Sequence, residues 1–125
     1  MDAAQKFSWR NSAISWIRRG AANLPDVPPT NWHVRKPTQI ARSHAMHIVY
    51  HVPPSFSPAH LNVTLDQGIA IEWKNGRKEL EIEILADGYI EIQKLLDGSA
   101  VETPLKIEEP DWANLGSAFA WIESS

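Results

Sequence analysis

Cysteine is absent from this chain, which excludes a disulfide framework, thiol catalysis and cysteine-ligated zinc, and suits a reducing cytoplasm. No apolar run approaches the ~20 residues that a bilayer-crossing helix needs, so no membrane span is expected. The first residues, Met1-Asp2-Ala3-Ala4-Gln5-Lys6, lack a basic stretch followed by an apolar one, and no signal peptide is expected. Phosphate loops, dinucleotide fingerprints and nucleophile elbows are missing as well. Low-complexity tracts and long repeats are not found. A pI of 5.9 is far from the basic signature of nucleic-acid binders.

What the chain does have is enough apolar residue, 43% of 125 positions, for one hydrophobic core. A second core would leave two pieces too small to be stable, so a single domain over 1–125 is expected. The net charge of −3 hides an asymmetry. Residues 1–60 carry seven Lys/Arg against Asp2 and Asp26, whereas residues 61–125 carry five against thirteen Asp/Glu. All five histidines lie in the first half. Such a layout suits basic helices packed beside an acidic sheet, or two surfaces with different partners.

Residues 1–20 read as a helix, because Trp9, Ala13, Trp16 and Ile17 recur on one face of a 3.6-residue period. Gly20 is its stop, with Arg18 and Arg19 suited to the dipole of the last turn. Residues 21–37, with Pro25, Pro28 and Pro29, form an extended connector. A second helix spans 38–52, with Thr38 as N-cap and an apolar stripe of Ala41, Ala45, Ile48, Val49 and Val52. Strand structure at 46–52 is the alternative, since Ile48, Tyr50 and Val52 also alternate. Glu108-Glu109-Pro110-Asp111 opens a terminal helix over 109–123, carrying Trp112, Leu115, Phe119 and Ile122.

Between them, residues 61–103 read as an antiparallel meander of four or five strands. Leu61, Val63 and Leu65 share one face with Ile69, Ile71 and Trp73, with Leu80, Ile82 and Ile84, and with Ile90, Ile92 and Leu96. Asn75-Gly76 is a two-residue hairpin signal, which pairs Ile71 with Leu80 and Ile69 with Ile82. Asp66-Gln67-Gly68 as a three-residue loop pairs Leu65 with Ile69 and Val63 with Ile71. Ala86-Asp87-Gly88 in the same role pairs Ile84 with Ile90 and Ile82 with Ile92. Both longer loops place glycine third, where a left-handed residue is needed. A fifth strand would include Val101 and Thr103, ended by Pro104. The fold class is α+β: two N-terminal helices over the face made by Val63, Ile71, Ile82 and Ile92, with Trp73 near one rim, and a short C-terminal helix.

Pro58, then Asp66-Gln67-Gly68-Ile69, Ile71-Glu72-Trp73, Asn75-Gly76 and Asp87-Gly88 together resemble a set of small uncharacterised bacterial proteins. Those proteins carry a proline, an Asp-Gly-Gly-Ile/Val turn, a Leu/Ile-Glu-Trp strand and a second Asp-Gly turn. They occur in mobile or toxin–antitoxin-like gene neighbourhoods. The resemblance spans about a third of the chain, and Gln67 stands where those proteins have glycine. It implies a small bacterial protein of antitoxin-like or inhibitory type, and it carries over no catalytic residues.

Three groups of residues could carry function. The expected register places Glu72 opposite Glu79, Glu83 opposite Glu91, and Glu81 between Ala70 and Gln93 on the outer face of the meander. Like charges so placed are mildly destabilising, which suggests plain solvation or a surface that receives a basic partner. Leu85, Tyr89 and Leu95 share that face, so a protein partner or a second copy of the chain could use it. The expected partner-binding residues are therefore Glu72, Glu79, Glu81, Glu83, Tyr89 and Glu91.

His44, His47 and His51 form a stripe at i, i+3 and i+7 on the second helix. Neutral imidazoles in that pattern could hold a transition metal ion, with His33 or His60 as a further ligand. Ile48 occupies the place of the general-base glutamate of a metalloprotease helix, so peptidase chemistry is not expected. The plain alternative is a half-exposed, hydrogen-bonded border to the buried face.

Trp9, Arg10, Trp16, Arg18 and Arg19 could stack on bases and touch phosphates, but two tryptophans at seven-residue spacing are more often core anchors. The reading that follows is a cytoplasmic, non-enzymatic protein-binding module, without a cofactor and without nucleic-acid or membrane partners. Its rival is a metal-dependent enzyme or metal sensor built on the histidines.

Overall fold

A computed structural model describes residues 3–20, 36–53, 56 and 59–124. The proline-rich connector over 21–37 falls outside them except at Lys36 and Pro37, as does His33. The architecture is α+β, with an antiparallel sheet in meander order and helices at both ends of the chain. Helix α1 (Ala3–Ser15) runs into a π-helical turn (Trp16–Gly20), and α2 (Gln39–His51) follows the connector. The sheet comprises β1 (His60–Val63), β2 (Ile69–Asn75), β3 (Lys78–Ile84), β4 (Ile90–Leu96), β5 (Ser99–Ala100) and β6 (Leu105–Ile107). Helix α3 (Trp112–Glu123) closes the described chain. No helix among the described residues is long and apolar enough to cross a membrane.

Alternation of side chains across each strand puts the aliphatic residues in rows. One row runs Leu61, Ile71, Ile82, Ile92, Leu105, and the next Val63, Ile69, Ile84, Ile90, Ile107. The members on β2, β3 and β4 are buried. Removing such a side chain from water contributes about 1.5–3 kcal/mol each. Helices α2 and α3 lie on this face, and α1 packs on α2. Ala41, Ala45, Ile48 and Val49 from α2, and Leu115, Ala118, Phe119 and Ile122 from α3, complete the core. Trp73 is only 3% exposed, not at a rim. Its ring meets Phe119 at 5.4 Å and Phe56 at 6.3 Å, both edge-on.

The third hairpin has the expected register, with Ile84 opposite Ile90 and Gly88 at φ 93°. The first two are each shifted by two residues, which leaves every side chain on its expected face. In the β2–β3 hairpin Asn75 pairs with Lys78, so Gly76 and Arg77 make the turn and Ile71 faces Ile82. Gly76, at φ 62°, holds the first central position, where a primed turn requires positive φ. Asp97-Gly98, with φ 53° and 81°, is the turn that has positive φ at both central residues.

In the β1–β2 hairpin Val63 faces Ile69, and Thr64 exchanges hydrogen bonds with Gly68. The three-residue loop is therefore Leu65-Asp66-Gln67. Gln67 takes the left-handed conformation (φ 64°), and Leu65 is left exposed. Gly68 is needed for a different reason. A Cβ there would clash with the carbonyl oxygen of Ile84 and lie 3.0 Å from Thr64 Oγ1.

The expected fifth strand is replaced by two short ones on β4. Strand β5 pairs with its end at Leu95–Leu96, and β6 with its start at Ile90–Ile92. Val101, Thr103 and Pro104 link them. Residues 46–51 are helical, which decides between the two readings of that segment. At α3 the acidic pair Glu108–Glu109 precedes the helix, and Asp111 is the N-cap, accepting from the N–H groups of Ala113 and Asn114. Trp112 is 49% exposed at the edge of the core.

Thr38 sets the position of α2. Its Oγ accepts from Ala41 N–H as an N-cap and donates to the Ala86 carbonyl at 2.7 Å, while its own N–H donates to the Gln67 carbonyl at 3.1 Å. The start of the helix is thus tied to two hairpin loops. Thr38→Ala should lower unfolding stability by about 0.5–2 kcal/mol, read by urea titration, while Thr38→Ser retains most of it. Gly68→Ala should lose about 1–3 kcal/mol through overpacking against β3, measured the same way.

Candidate functional site

The opposite face of the sheet carries no helix among the described residues, because both helices that pack on the sheet use the aliphatic face. Its rows follow from the observed register. Across one run His60, Glu72, Glu81 and Gln93; across the next Asn62, Ala70, Glu83, Glu91 and Lys106; across the third Lys74, Glu79, Leu95 and Ala100. Glu72 therefore opposes Glu81, correcting the expected opposition to Glu79. The two-residue shift of the β2–β3 hairpin is the cause. Glu79 instead faces Lys74, with Nζ 3.9 Å from Oε1. Glu83 faces both Ala70 and Glu91, the latter as expected, and Glu81 lies between Glu72 and Gln93.

The carboxylates are not equivalent. Burial among neighbouring side chains, then the charges of Glu72, Glu79 and Glu83, raises the pKa of Glu81 above 4.5. Burial, then Glu91 and Asp66, does the same for Glu83. Glu91 lies opposite Lys106 on β6. Tyr89 donates its hydroxyl to Glu108 Oε1 at 3.3 Å and carries Lys106 Nζ 5.1 Å from its ring centroid. The adjacent Glu108 charge and that hydrogen bond raise its pKa. Among the described residues no ion pair neutralises Glu72, Glu81 or Glu83, so negative charge is concentrated there.

The histidines divide into two sets. His44 Nδ1 donates to the Gly88 carbonyl at 2.8 Å, which joins α2 to the β3–β4 loop. His47 and His51 face each other one turn apart, with ring centroids at 4.4 Å. His51 also meets Trp112 edge-on at 5.1 Å. Among the described residues no three His, Asp or Glu side chains gather to hold one ion. Of the expected three-histidine set, His44 is engaged with the Gly88 carbonyl, while His47 and His51 stay side by side.

Within the tryptophan–arginine group, Arg18 and Arg19 are exposed. Arg10 donates to the Val52 carbonyl at the end of α2. Trp9 and Trp16 pack against the core and, with Ala13, Ala59 and Leu61, border a groove of about 320 Å³ beside β1. Two features escaped the sequence reading: the role of Thr38 at the loops, and the docking of His44 on Gly88. The N-cap signal was legible, but its second partner was not, since Ala86 is 48 residues away.

No protein-family model, curated protein or solved structure matches the chain.

A carboxylate with a raised pKa destabilises the fold once ionised. Its stabilising contribution is complete below the unfolded value and disappears as pH rises through the folded one. Glu81→Gln should therefore raise stability at pH 7, by ~0.2–1 kcal/mol for relief of a like-charged cross-strand pair. The gain over the parent chain should shrink as pH falls toward 4.5, which thermal melts across that range will show.

Proposed function

We propose that this chain is a small, non-enzymatic protein-binding module whose uncovered acidic sheet face receives a basic protein partner. The observation that carries the reading is a sheet face free of helices among the described residues, with Glu72, Glu81 and Glu83 unneutralised. Water and small cations screen such a surface in the free chain. A complementary cationic surface would replace mutual repulsion by attraction and speed encounter. Leu85, Leu95 and Tyr89 add apolar contact area among the charges. The hairpin resemblance to small bacterial proteins of toxin–antitoxin-like neighbourhoods supports an antitoxin-like or inhibitory role. A cytoplasmic setting agrees with the lack of cysteine.

Reversing charge at Glu81 and Glu83 separates binding from folding. Glu81→Lys with Glu83→Lys converts Glu72–Glu81 and Glu83–Glu91 into opposite-charge pairs, so the thermal midpoint should hold or rise. Partners captured from host-cell extract on the parent chain are identified by mass spectrometry, and each is titrated in purified form. The double variant should bind at least ~10-fold more weakly, and salt should weaken the parent complex. Equal affinity of parent and variant for every captured partner would refute the proposal.

A further inference from the structure

The two imidazoles that face each other on α2 are unrelated to the acidic face. We infer that His47 and His51 form a bidentate site for a divalent transition metal ion, with Cu²⁺ the preferred occupant. The i, i+4 spacing places both rings on one side of the helix, one turn apart. Their centroids are 4.4 Å apart and their planes are inclined by 41°. Two imidazoles bound side by side to one ion, each with a metal–nitrogen distance of about 2.0–2.1 Å, have centroids roughly 4.5–5 Å apart. The observed centroid spacing of 4.4 Å lies close to that range.

A second feature prepares the site. His51 Nδ1 lies 2.8 Å from the His47 carbonyl oxygen, to which only a protonated Nδ1 can donate. That bond puts the ring proton on Nδ1 and leaves the Nε2 lone pair for a ligand. Support of a metal-binding imidazole by a backbone carbonyl is the usual arrangement around bound ions.

Space is available for the remaining coordination positions. Both histidines are exposed, and they border a groove of about 290 Å³ that Arg18, Met46 and Tyr50 also line. Water, or a small anion beside the Arg18 guanidinium, would complete the shell. His44 stays outside, held by the Gly88 carbonyl. Two nitrogen ligands with open positions favour Cu²⁺ over Ni²⁺ and Zn²⁺ by the ordinary stability order.

Calorimetric titration of the chelator-stripped full chain with Cu²⁺, near neutral pH, tests the site. One equivalent should bind, and electron paramagnetic resonance should show coupling to imidazole nitrogen. His47→Ala and His51→Ala should each weaken binding by roughly 10-fold or more, whereas His44→Ala should leave it unchanged. His47→Gln provides a second variant at an exposed position, and far-ultraviolet circular dichroism confirms that each variant is folded. Absence of saturable Cu²⁺ binding by the parent chain, or unchanged affinity in either His47 or His51 variant, overturns the inference. An equal loss in His44→Ala overturns the two-histidine assignment.

Discussion

The cross-strand rows of aliphatic side chains are the constraint from which the rest of this structure follows. Ile71, Ile82 and Ile92 stand side by side in one row, and Ile69, Ile84 and Ile90 in the next. A sheet with one such face must bury it, and α2 and α3 supply the cover. Because successive residues alternate in direction, burying these isoleucines obliges Glu72, Glu81, Glu83 and Glu91 to share the other face. The acidic surface is the necessary complement of the core. Burial on that face, and after it the neighbouring carboxylates, raises the pKa of Glu81 and Glu83.

The loops convert this sheet into a platform that orients α2. Thr38 contacts the Gln67 and Ala86 carbonyls, and His44 contacts Gly88, so one side of the helix is fastened to two hairpin loops. At the other end Arg10 from α1 reaches the Val52 carbonyl. These bonds determine which side of α2 faces solvent. His47, Tyr50 and His51 are exposed there, as are Gln39, Ile40 and Ser43 nearer the start of the helix. The division of the histidine stripe into a structural member and an exposed pair is a consequence of how the helix is anchored.

At the far end of the sheet a similar tie links separate turns. Arg77, in the β2–β3 turn, makes a two-pronged contact with the carboxylate of Asp97, and its carbonyl accepts from Asp97 N–H. Lys78 donates to the carbonyls of Trp121 and Ser124 at the end of α3, where a cation suits the helix dipole. Both contacts favour a turn at Gly76-Arg77. An earlier turn would move Arg77 and Lys78 along the strand and away from these partners.

The alternation of apolar and polar residues, the glycine-bearing turns and the Thr38 cap determined the α+β class, the four main strands and the face of each side chain. They did so because burial and backbone geometry are local demands that every residue in a strand must meet. Strand register is a different matter. A shift of two residues keeps every face unchanged, so the pattern alone did not distinguish Glu72 opposite Glu79 from Glu72 opposite Glu81. Distant partners decided it: the Ile84 carbonyl beside Gly68, Asp97 beside Arg77, and the end of α3 beside Lys78. The split of the histidine stripe depended in the same way on Gly88, 44 residues from His44. Only the assembled fold brings those atoms within hydrogen-bonding distance.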